Sequence, residues 1–371
     1  MKLKDLLAGA MAILLCSSCI KDEAPNAEAD ILTCTVPSEI LLRQPVIQNN
    51  SITIMVKPGT NMKQAPSFTL TEGSTIDPAS GEEIDFTVPQ TYTVTSESKK
   101  WKKTYTISFT SVEIPTSFAF EDTIITAQSK GKYYILVDKD KDQNSNKEKY
   151  LEWASGNPGF SLTGVAKTAN DYPTVQVNGG VNGGKCVMLT TRETGTFGSG
   201  VGMPIAAGNL FTGNFNLATA LKDALKSTQF GVPFYHVPTK LTGYYKYKAG
   251  EVFMSKGNPV AGKKDTYNIY AVFYETDAKL HYLDGYFKAE GYSNPNLVAM
   301  AMAKSTQEVA SWTRFEIPFE FIAGKEINKD KLANGDYNVA IIFSSSINGD
   351  VFEGAPGSTL WIDNVELEYK D

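Results

Sequence analysis

The sequence is poor in the residues and motifs on which most metal centres and nucleophilic enzymes depend. Only two of its 371 residues are histidines, His236 and His281, and their spacing does not suit zinc. No Gly-x-Ser-x-Gly nucleophile elbow and no Gly-Lys-Ser/Thr phosphate loop is present. A glycosidase needs only two carboxylates, however, and the chain has 41 Asp and Glu residues. These absences therefore argue against most enzyme classes and leave a glycosidase open.

Long apolar runs are absent, apart from one short stretch near the start of the chain. Residues 6–15 are mostly apolar, which suits the apolar region of a signal peptide and is too short to cross a bilayer. Lys2 and Lys4 precede this stretch, and two serines follow it before Cys19. The run resembles a bacterial lipoprotein signal. The resemblance predicts a signal peptide at 1–18 and lipidation of Cys19.

The segment that follows Cys19 indicates where in the cell the protein is expected. Residues 20–23 read Ile-Lys-Asp-Glu, which resembles the tag that sends Bacteroidetes lipoproteins to the outer face of the outer membrane. Residues 19–30 are acidic and poor in large apolar side chains, as expected for a flexible stalk. We therefore expect a lipid-anchored protein of the outer membrane that faces the cell exterior.

Excess positive charge is also lacking. The net charge is −6, and no basic cluster is large enough to neutralise a row of phosphates, so a nucleic-acid partner is not expected. Hydrophobic residues make up 42% of the chain and charged residues 20%, which indicates globular domains rather than disorder. Membrane contact is expected through the lipid anchor only.

Cysteine is scarce as well. Of four cysteines, Cys16 would leave with the signal peptide and Cys19 would carry the lipid. Cys34 and Cys186 remain, in a compartment that permits disulfides. Because they lie in different predicted domains, two buried unpaired thiols are the expected state, with a disulfide as the alternative.

Residues 31–114 have the pattern of a small β-sandwich. Short segments alternate Thr or Ser with Val, Ile, Tyr or Phe, and Gly-containing turns separate them, as in half-buried strands. The predicted strands are 31–36, 51–56, 67–70, 90–95 and 103–109. The runs at 56–62, 77–81, 92–96 and 103–105 resemble the immunoglobulin-like spacer modules of Bacteroidetes surface lipoproteins. That resemblance implies a module that holds the next domain away from the membrane.

The sequence predicts a second, larger domain at residues 115–371, which is also mostly strand. Its predicted strands are 133–137, 186–190, 242–247, 268–274, 313–321, 337–344 and 359–369. One segment, 216–226, instead places Leu217, Ala220, Leu221 and two further apolar residues on one helical face, with Asn216 as a candidate N-cap. The sequence thus predicts an all-β chain with one short amphipathic helix that covers the larger sandwich.

Several ordered motifs of the larger domain resemble one family of gut Bacteroidetes proteins, named "Putative carbohydrate metabolism domain". These motifs lie at 118–121, 153–159, 190–195, 204–211, 243–247 and 361–367. The resemblance implies a jelly-roll β-sandwich in a surface lipoprotein that handles glycans. It supplies no catalytic residue. A complex with an outer-membrane glycan porin is a further expectation.

Sugar sites on β-sandwiches combine aromatic platforms with amide, carboxylate and guanidinium groups. Trp153 is the aromatic residue least explained by strand burial, because it precedes a Gly/Asn/Pro loop. In the pair Tyr244–Tyr245 one ring should face inward and one outward. Arg192 has a structural alternative, pairing with Glu193 or a backbone carbonyl. The predicted ligand-binding residues are Trp153, Asn157, Arg192 and Tyr245.

A structural calcium ion is a second expectation. In jelly-roll carbohydrate-binding modules that share these N- and C-terminal motifs, calcium often lies where the first and last strands meet. The resemblance therefore implies Glu121 and Asp363 as metal ligands, since they open and close the sandwich. Hard carboxylate oxygens are suitable ligands for Ca²⁺.

Three functions follow from these observations. The first is a non-catalytic, surface-anchored protein that binds polysaccharides or oligosaccharides. The second is a glycoside hydrolase or lyase on a jelly roll. The third is an adhesion or fimbria-like structural lipoprotein, which would bind protein rather than sugar.

Overall fold

The structure is a computed structural model that describes residues 25–370, apart from 42–44, 48–49, 58–59, 112, 127–130, 142–147 and 305–306. The predicted signal peptide and Cys19 therefore lie outside the described residues. The chain divides into two compact units, Met1–Thr110 and Ser111–Asp371. No helix among the described residues is long and apolar enough to span a membrane.

The first unit consists of short strands. They are β1 Ile31–Thr35, β2 Val46–Ile47, β3 Ser51–Val56, β4 Lys63–Gln64, β5 Ser67–Leu70, β6 Thr75–Asp77, β7 Ile84–Asp85, β8 Gln90–Thr95 and β9 Lys102–Ser111. Five of them form one sheet in the order β2-β3-β9-β8-β6, and β1 pairs with β5. In β3 every second residue is buried, which is the period that the sequence shows. The core of this unit includes Ile52, Ile54, Tyr92 and Tyr105.

The second unit has many more strands, and its described residues include four short α-helices. Its strands are β10 Ser117–Phe118, β11 Asp122–Ile125, β12 Tyr134–Lys141, β13 Glu148–Glu152, β14 Thr174–Asn178, β15 Lys185–Thr190, β16 Arg192–Glu193, β17 Ile205–Ala206, β18 Asn209–Phe211, β19 Gly213–Phe215, β20 Thr228–Phe230, β21 Val232–Pro233, β22 Val237–Lys248, β23 Met254–Ser255, β24 Asn258–Pro259, β25 Asn268–Glu275, β26 Leu297–Met302, β27 Val309–Pro318, β28 Glu320–Phe321, β29 Tyr337–Ser344 and β30 Thr359–Lys370. The helices are α1 Asn157–Ser161, α2 Gly195–Gly200, α3 Tyr286–Ala289 and α4 Lys329–Asn334.

Two six-stranded sheets form a sandwich in this unit. The first has the order β14-β15-β30-β22-β27 with β10 beside β30, and the second has the order β18-β29-β25-β26-β28 with β21 beside β29. The main core lies between them and includes Leu189, Leu241, Phe273, Ile341 and Ile362. The prediction of an all-β chain built from a smaller and a larger sandwich is confirmed.

The two sheets differ on their outer faces. Strands β25 and β29 are buried at nearly every position, because their outer face has a second apolar cluster that includes Phe211, Tyr270 and Ile342. This explains their nearly continuous apolar sequences. The outer face of the first sheet has half-buried polar and aromatic side chains instead, which places candidate ligand-binding groups there.

The helix predicted at 216–226 is wrong. The segment forms two short 3₁₀ turns, Leu217–Thr219 and Ala224–Ser227, separated by residues 220–223, and Asp223 has a non-helical backbone with φ −155° and ψ 90°. The Asn216 side chain does accept a hydrogen bond from the Ala218 amide, as an N-cap does. The Thr219 hydroxyl bonds to the Asn216 carbonyl and to the Ser227 hydroxyl, which competes with continued helix.

Cys34 and Cys186 are both free and buried, one in each unit. Burial raises the pKa of each thiol to about 12. Because the thiolate is the reactive form, both residues act as small apolar core groups.

Candidate functional site

Trp153 lies in the core, so its prediction as an exposed sugar platform is corrected. The residue is 3% exposed, and its ring packs at centroid distances of 5.1 Å from Phe118 and 5.6 Å from Phe120. The indole Nε1 donates a hydrogen bond to Asp138 Oδ2 at 2.8 Å. Because the indole is packed in the core and its N–H is hydrogen-bonded, the Trp153 side chain is not available to stack on a sugar.

Asn157 and Tyr245 are also buried, so neither side chain is open to a ligand. Asn157 is 0% exposed, and its amide both donates to the Thr174 carbonyl at 2.8 Å and accepts from the Thr174 N–H at 3.2 Å. It therefore fixes α1 to β14. Tyr245 is 7% exposed and packs 5.1 Å from the ring of Tyr267, whereas its neighbour Tyr244 is half-buried. The outward-facing member of the pair is Tyr244.

Arg192 has the structural role that was the alternative in its prediction. Its Nε donates to the Tyr172 carbonyl at 3.2 Å, and its Nη2 donates to the Asn170 carbonyl at 3.4 Å. These bonds hold the 3₁₀ turn Ala169–Asp171 against β16. The guanidinium is thus occupied by the backbone rather than directed at a ligand.

The outer face of the first sheet brings together two tryptophans that lie far apart in the sequence. Trp361 pairs with Lys246 across β30 and β22, and both are half-buried. The Lys246 ammonium lies 4.4 Å from the ring centroid of Trp312 and 5.4 Å from that of Trp361. The Trp312 Nε1 donates to the Gly179 carbonyl at 3.1 Å, which fixes the orientation of its indole.

Two further side chains, Tyr244 and Arg314, extend this surface, each two residues along its strand from Lys246 or Trp312. Tyr244 lies between Asp363 and Arg314 in the strand register. Arg314 is exposed and its Nη1 lies 3.3 Å from Glu316 Oε2. We call Tyr244, Lys246, Trp312, Arg314 and Trp361 the tryptophan face. Aromatic rings can stack on the C–H face of a sugar, while the ammonium and guanidinium can donate to its hydroxyls.

Glu121 and Asp363 meet at the loop that joins β14 to β15. Asp363 Oδ2 accepts from the Val181 N–H at 2.6 Å, and Glu121 Oε1 accepts from the Lys185 N–H at 3.0 Å. The same loop contacts Trp312 through its first glycine. The two carboxylates predicted from the ends of the domain therefore lie beside the tryptophan face.

The loop can approach both carboxylates because it is rich in glycine. A Cβ on Gly180 would lie 2.6 Å from Asp363 Oδ2, and a Cβ on Gly184 would lie 2.1 Å from Glu121 Oε1. The loop sequence at 177–184 is Val-Asn-Gly-Gly repeated twice. This repeat is the sequence signal that could have identified the loop as a place of close backbone approach.

Backbone and charge are both unusual at this pair. Phe120, just before Glu121, has φ 56°, and Asn364, just after Asp363, has φ 46°. Burial raises the pKa of Asp363, and the negative charge of Glu121 raises it further. Non-glycine residues with a left-handed backbone, and carboxylates with a perturbed pKa, cluster at functional sites. Glu121 and Asp363 are therefore the strongest candidates for binding an ion or a polar ligand group beside Trp312 and Trp361.

A separate cleft of about 170 Å³ lies on the outer side of the second sheet. Phe160, Phe197, Val201, Leu221 and Tyr270 are among the apolar residues that line it. A polar contribution comes from Lys288 and Asp350, which pair with each other. The lining is mostly apolar, whereas the tryptophan face combines two indole rings with two cationic groups, so the tryptophan face is the better candidate for a glycan site.

Comparisons with known proteins agree with this division of the chain. Residues 119–368 match the family model described as "Putative carbohydrate metabolism domain", and residues 32–108 match the model described as "SGBP, N-terminal". Among curated proteins, no relative matches this chain.

Two solved structures are similar along most of their length. A putative glycoside hydrolase from Bacteroides thetaiotaomicron VPI-5482 is 51% identical, with 95% of this chain and 99% of that chain covered and a TM-score of 0.79. A putative glycoside hydrolase from Bacteroides vulgatus ATCC 8482 is 48% identical, with 70% of this chain and 100% of that chain covered and a TM-score of 0.66. The chain belongs to the "Putative carbohydrate metabolism domain" family, and an SGBP N-terminal domain precedes the family's domain.

Proposed function

We propose that this protein is a cell-surface glycan-binding protein and that the tryptophan face of its second unit binds the glycan. The observation that carries the proposal is the pair of half-buried indoles of Trp312 and Trp361, with the Lys246 ammonium between them. The carbohydrate-related family of this unit and the SGBP match of the first unit support it.

The face predicts how affinity should depend on glycan length. Stacking one sugar on an aromatic ring contributes only about 1 kcal/mol beyond the burial of apolar area. A monosaccharide, which can cover one ring at a time, should therefore bind poorly. An oligosaccharide that reaches both Trp312 and Trp361 gains both contacts, so affinity should rise with length.

The test is affinity electrophoresis in gels that contain purified polysaccharides, followed by calorimetry with oligosaccharides of increasing length. The double variant Trp312→Ala/Trp361→Ala should lose at least about tenfold in affinity, since two stacking contacts of about 1 kcal/mol each are removed. Trp101→Ala, which removes an exposed tryptophan of the first unit, is the matched control and should bind normally. Equal binding by wild type and the double variant would reject the tryptophan face.

A second candidate function is glycoside hydrolysis, because the two Bacteroides structures are described as putative glycoside hydrolases. Glu121 and Asp363 are the carboxylates beside the tryptophan face, and the raised pKa of Asp363 is what a general acid requires. New reducing ends in the same binding assay, lost in Glu121→Gln, would favour hydrolysis over capture. Tight binding to a protein with no glycan binding would instead favour adhesion.

We also propose that calcium binds Glu121 and Asp363. The described residues include no group of three or more His, Cys, Asp or Glu side chains around a common point, so backbone carbonyls and water would have to complete the six to eight oxygen ligands. Ca²⁺ should raise the thermal unfolding midpoint, because a cation offsets the repulsion between the two carboxylates. Glu121→Gln should remove this shift and the exposed Glu366→Gln should keep it; no shift in wild type would reject the site.

The proposed location follows from the first unit. The SGBP match supports a place on the bacterial cell surface, and we propose lipidation of Cys19 as the anchor and an outer-membrane glycan porin as a partner. Membrane fractionation of a Cys19→Ala chain tests the anchor, since the variant should leave the membrane fraction.

A further inference from the structure

The turn of one hairpin in the first unit has an unusual combination of charge and exposed aromatic surface. Residues 96–101 join β8 to β9, and we call these residues together with the first two residues of β9, Lys102 and Lys103, the basic hairpin. It reads Ser-Glu-Ser-Lys-Lys-Trp-Lys-Lys. Trp101, which lies opposite Ser96 where the turn closes, is 63% exposed, more than any other large apolar side chain described in the chain. A tryptophan left this open has no role in the core.

Three of the four lysines in the basic hairpin are exposed and have no acidic partner among the described residues. They are Lys99, Lys100 and Lys102. Lys103 is half-buried and pairs with Asp30 at 2.5 Å. The hairpin's acidic residue, Glu97, accepts from the Asn26 N–H at 2.7 Å. The segment therefore presents three ammonium groups around one open indole, on a chain whose net charge is −6.

The described chain begins next to this hairpin. Besides the Asn26–Glu97 bond, the Ser98 N–H donates to the Asn26 carbonyl at 3.1 Å. Cys19 lies seven residues before Asn26, a distance that an extended chain covers in at most about 25 Å. A lipid on Cys19 would thus keep the basic hairpin within about 25 Å of the bilayer surface.

We propose that the basic hairpin binds the anionic surface of the membrane that carries the protein. Ammonium groups next to a membrane attract anionic lipid headgroups, and tryptophan is enriched at the membrane–water interface because its ring is amphipathic. The rest of the chain carries a net negative charge, which repels an anionic surface. The contact would orient the first unit on the bilayer, in addition to any lipid anchor and separately from glycan binding.

The test uses a mature chain from residue 19 with Cys19→Ser, so that no lipid contributes. Its co-sedimentation with vesicles is measured at low salt, with phosphatidylglycerol and phosphatidylcholine in equal amounts against phosphatidylcholine alone. We expect binding to the anionic vesicles only, weakened by added salt. Lys99→Gln/Lys100→Gln/Lys102→Gln should lower the partition coefficient about 100-fold, given the attraction per lysine near such a surface.

Matched control variants test whether vesicle binding depends on the basic hairpin itself rather than on any exposed lysines or any exposed aromatic ring. A second triple variant changes Lys222, Lys279 and Lys329 to Gln, which are exposed lysines of the second unit, and should bind vesicles like wild type. Trp101→Ser should weaken binding severalfold and lose the blue shift of tryptophan fluorescence on vesicles, whereas Tyr282→Ser, which also removes an exposed aromatic ring, should not.

Three results would overturn the proposal. The first is equal vesicle binding by wild type and the hairpin triple variant, including the case in which neither binds. The second is an equal loss in both triple variants. The third is competition by inorganic phosphate or dextran sulfate at the concentrations used for lipid, which would indicate a site for a soluble anion. Glycan affinity should be unchanged in every hairpin variant, so a failure here is distinguishable from failure of the glycan proposal.

Discussion

Replacing Asp138 with alanine should lower the free energy of unfolding of the second unit by about 3 kcal/mol, because three buried or half-buried donors lose their acceptor. Asp138 Oδ1 accepts from the Ala119 N–H at 2.9 Å and the Phe120 N–H at 3.0 Å. Its Oδ2 accepts from Trp153 Nε1 at 2.8 Å. Urea unfolding followed by circular dichroism would measure the loss.

Asp138→Asn is the control that keeps the shape and one acceptor oxygen, so its cost should be smaller. Burial raises the pKa of Asp138 above 3.8, although its hydrogen bonds act in the opposite direction. The folded chain therefore holds this proton more tightly than the unfolded chain. The contribution of Asp138 to stability should rise as the pH falls from the raised pKa toward 3.8, and the Asn variant should lack that rise. A loss below about 1 kcal/mol in the Ala variant would contradict this network.

The role of Asp138 also explains why Trp153 could not be placed from the sequence. A tryptophan before Gly, Asn and Pro looks exposed, because such loops usually lie at the surface. Its indole is buried because β12 brings a carboxylate to its N–H across the β12–β13 hairpin. That partner is fifteen residues away in the chain and is identified only by the strand register.

The sequence pattern predicts the tryptophan face only in part. Strict alternation correctly predicted that Tyr244 and Tyr245 face opposite sides, but it could not say which side is the core. Strand β22 contains two register shifts against β30 and another against β27. Because each shift interrupts the alternation, the face of a residue cannot be predicted from the face of a distant residue in the same strand. The juxtaposition of Trp312 and Trp361 with Lys246 depends on those shifts.

The basic hairpin was missed for a different reason. Net charge and the number of basic residues required for phosphate binding were considered for the whole chain, whereas Lys99, Lys100 and Lys102 matter only because the hairpin exposes them together beside Trp101. Each predicted strand corresponds to a strand of the structure, since a period of two is a local property, but β13, β14 and β26 were not predicted. The segment at 216–226 failed because Thr219 and Ser227 bond to each other and to nearby backbone, which a hydrophobic pattern does not reveal.

Replacing Asp265 with alanine should have the largest effect on stability, about 4 kcal/mol, because its carboxylate satisfies four donors in a buried site. Oδ2 accepts from the Ser346 hydroxyl at 2.6 Å, the Ser358 hydroxyl at 2.7 Å and the Ala355 N–H at 2.7 Å. Oδ1 accepts from the Thr266 N–H at 2.9 Å. Asp265 is 2% exposed, and Ser346, Ala355 and Ser358 are buried, so their three donors would have no access to water in the Ala variant.

The same variant separates a structural carboxylate from a catalytic one. Asp265 is the kind of buried acid that a search for a hydrolase site would select, yet four donors already occupy its oxygens. Asp265→Asn should recover part of the stability and bind glycans normally once folded. Glu121→Gln, at an exposed position, keeps an acceptor for the Lys185 N–H and removes the repulsion with Asp363, so it should not lower the unfolding free energy. If Asp265→Asn unfolds like wild type but abolishes the release of reducing sugar, Asp265 is catalytic and the structural role fails.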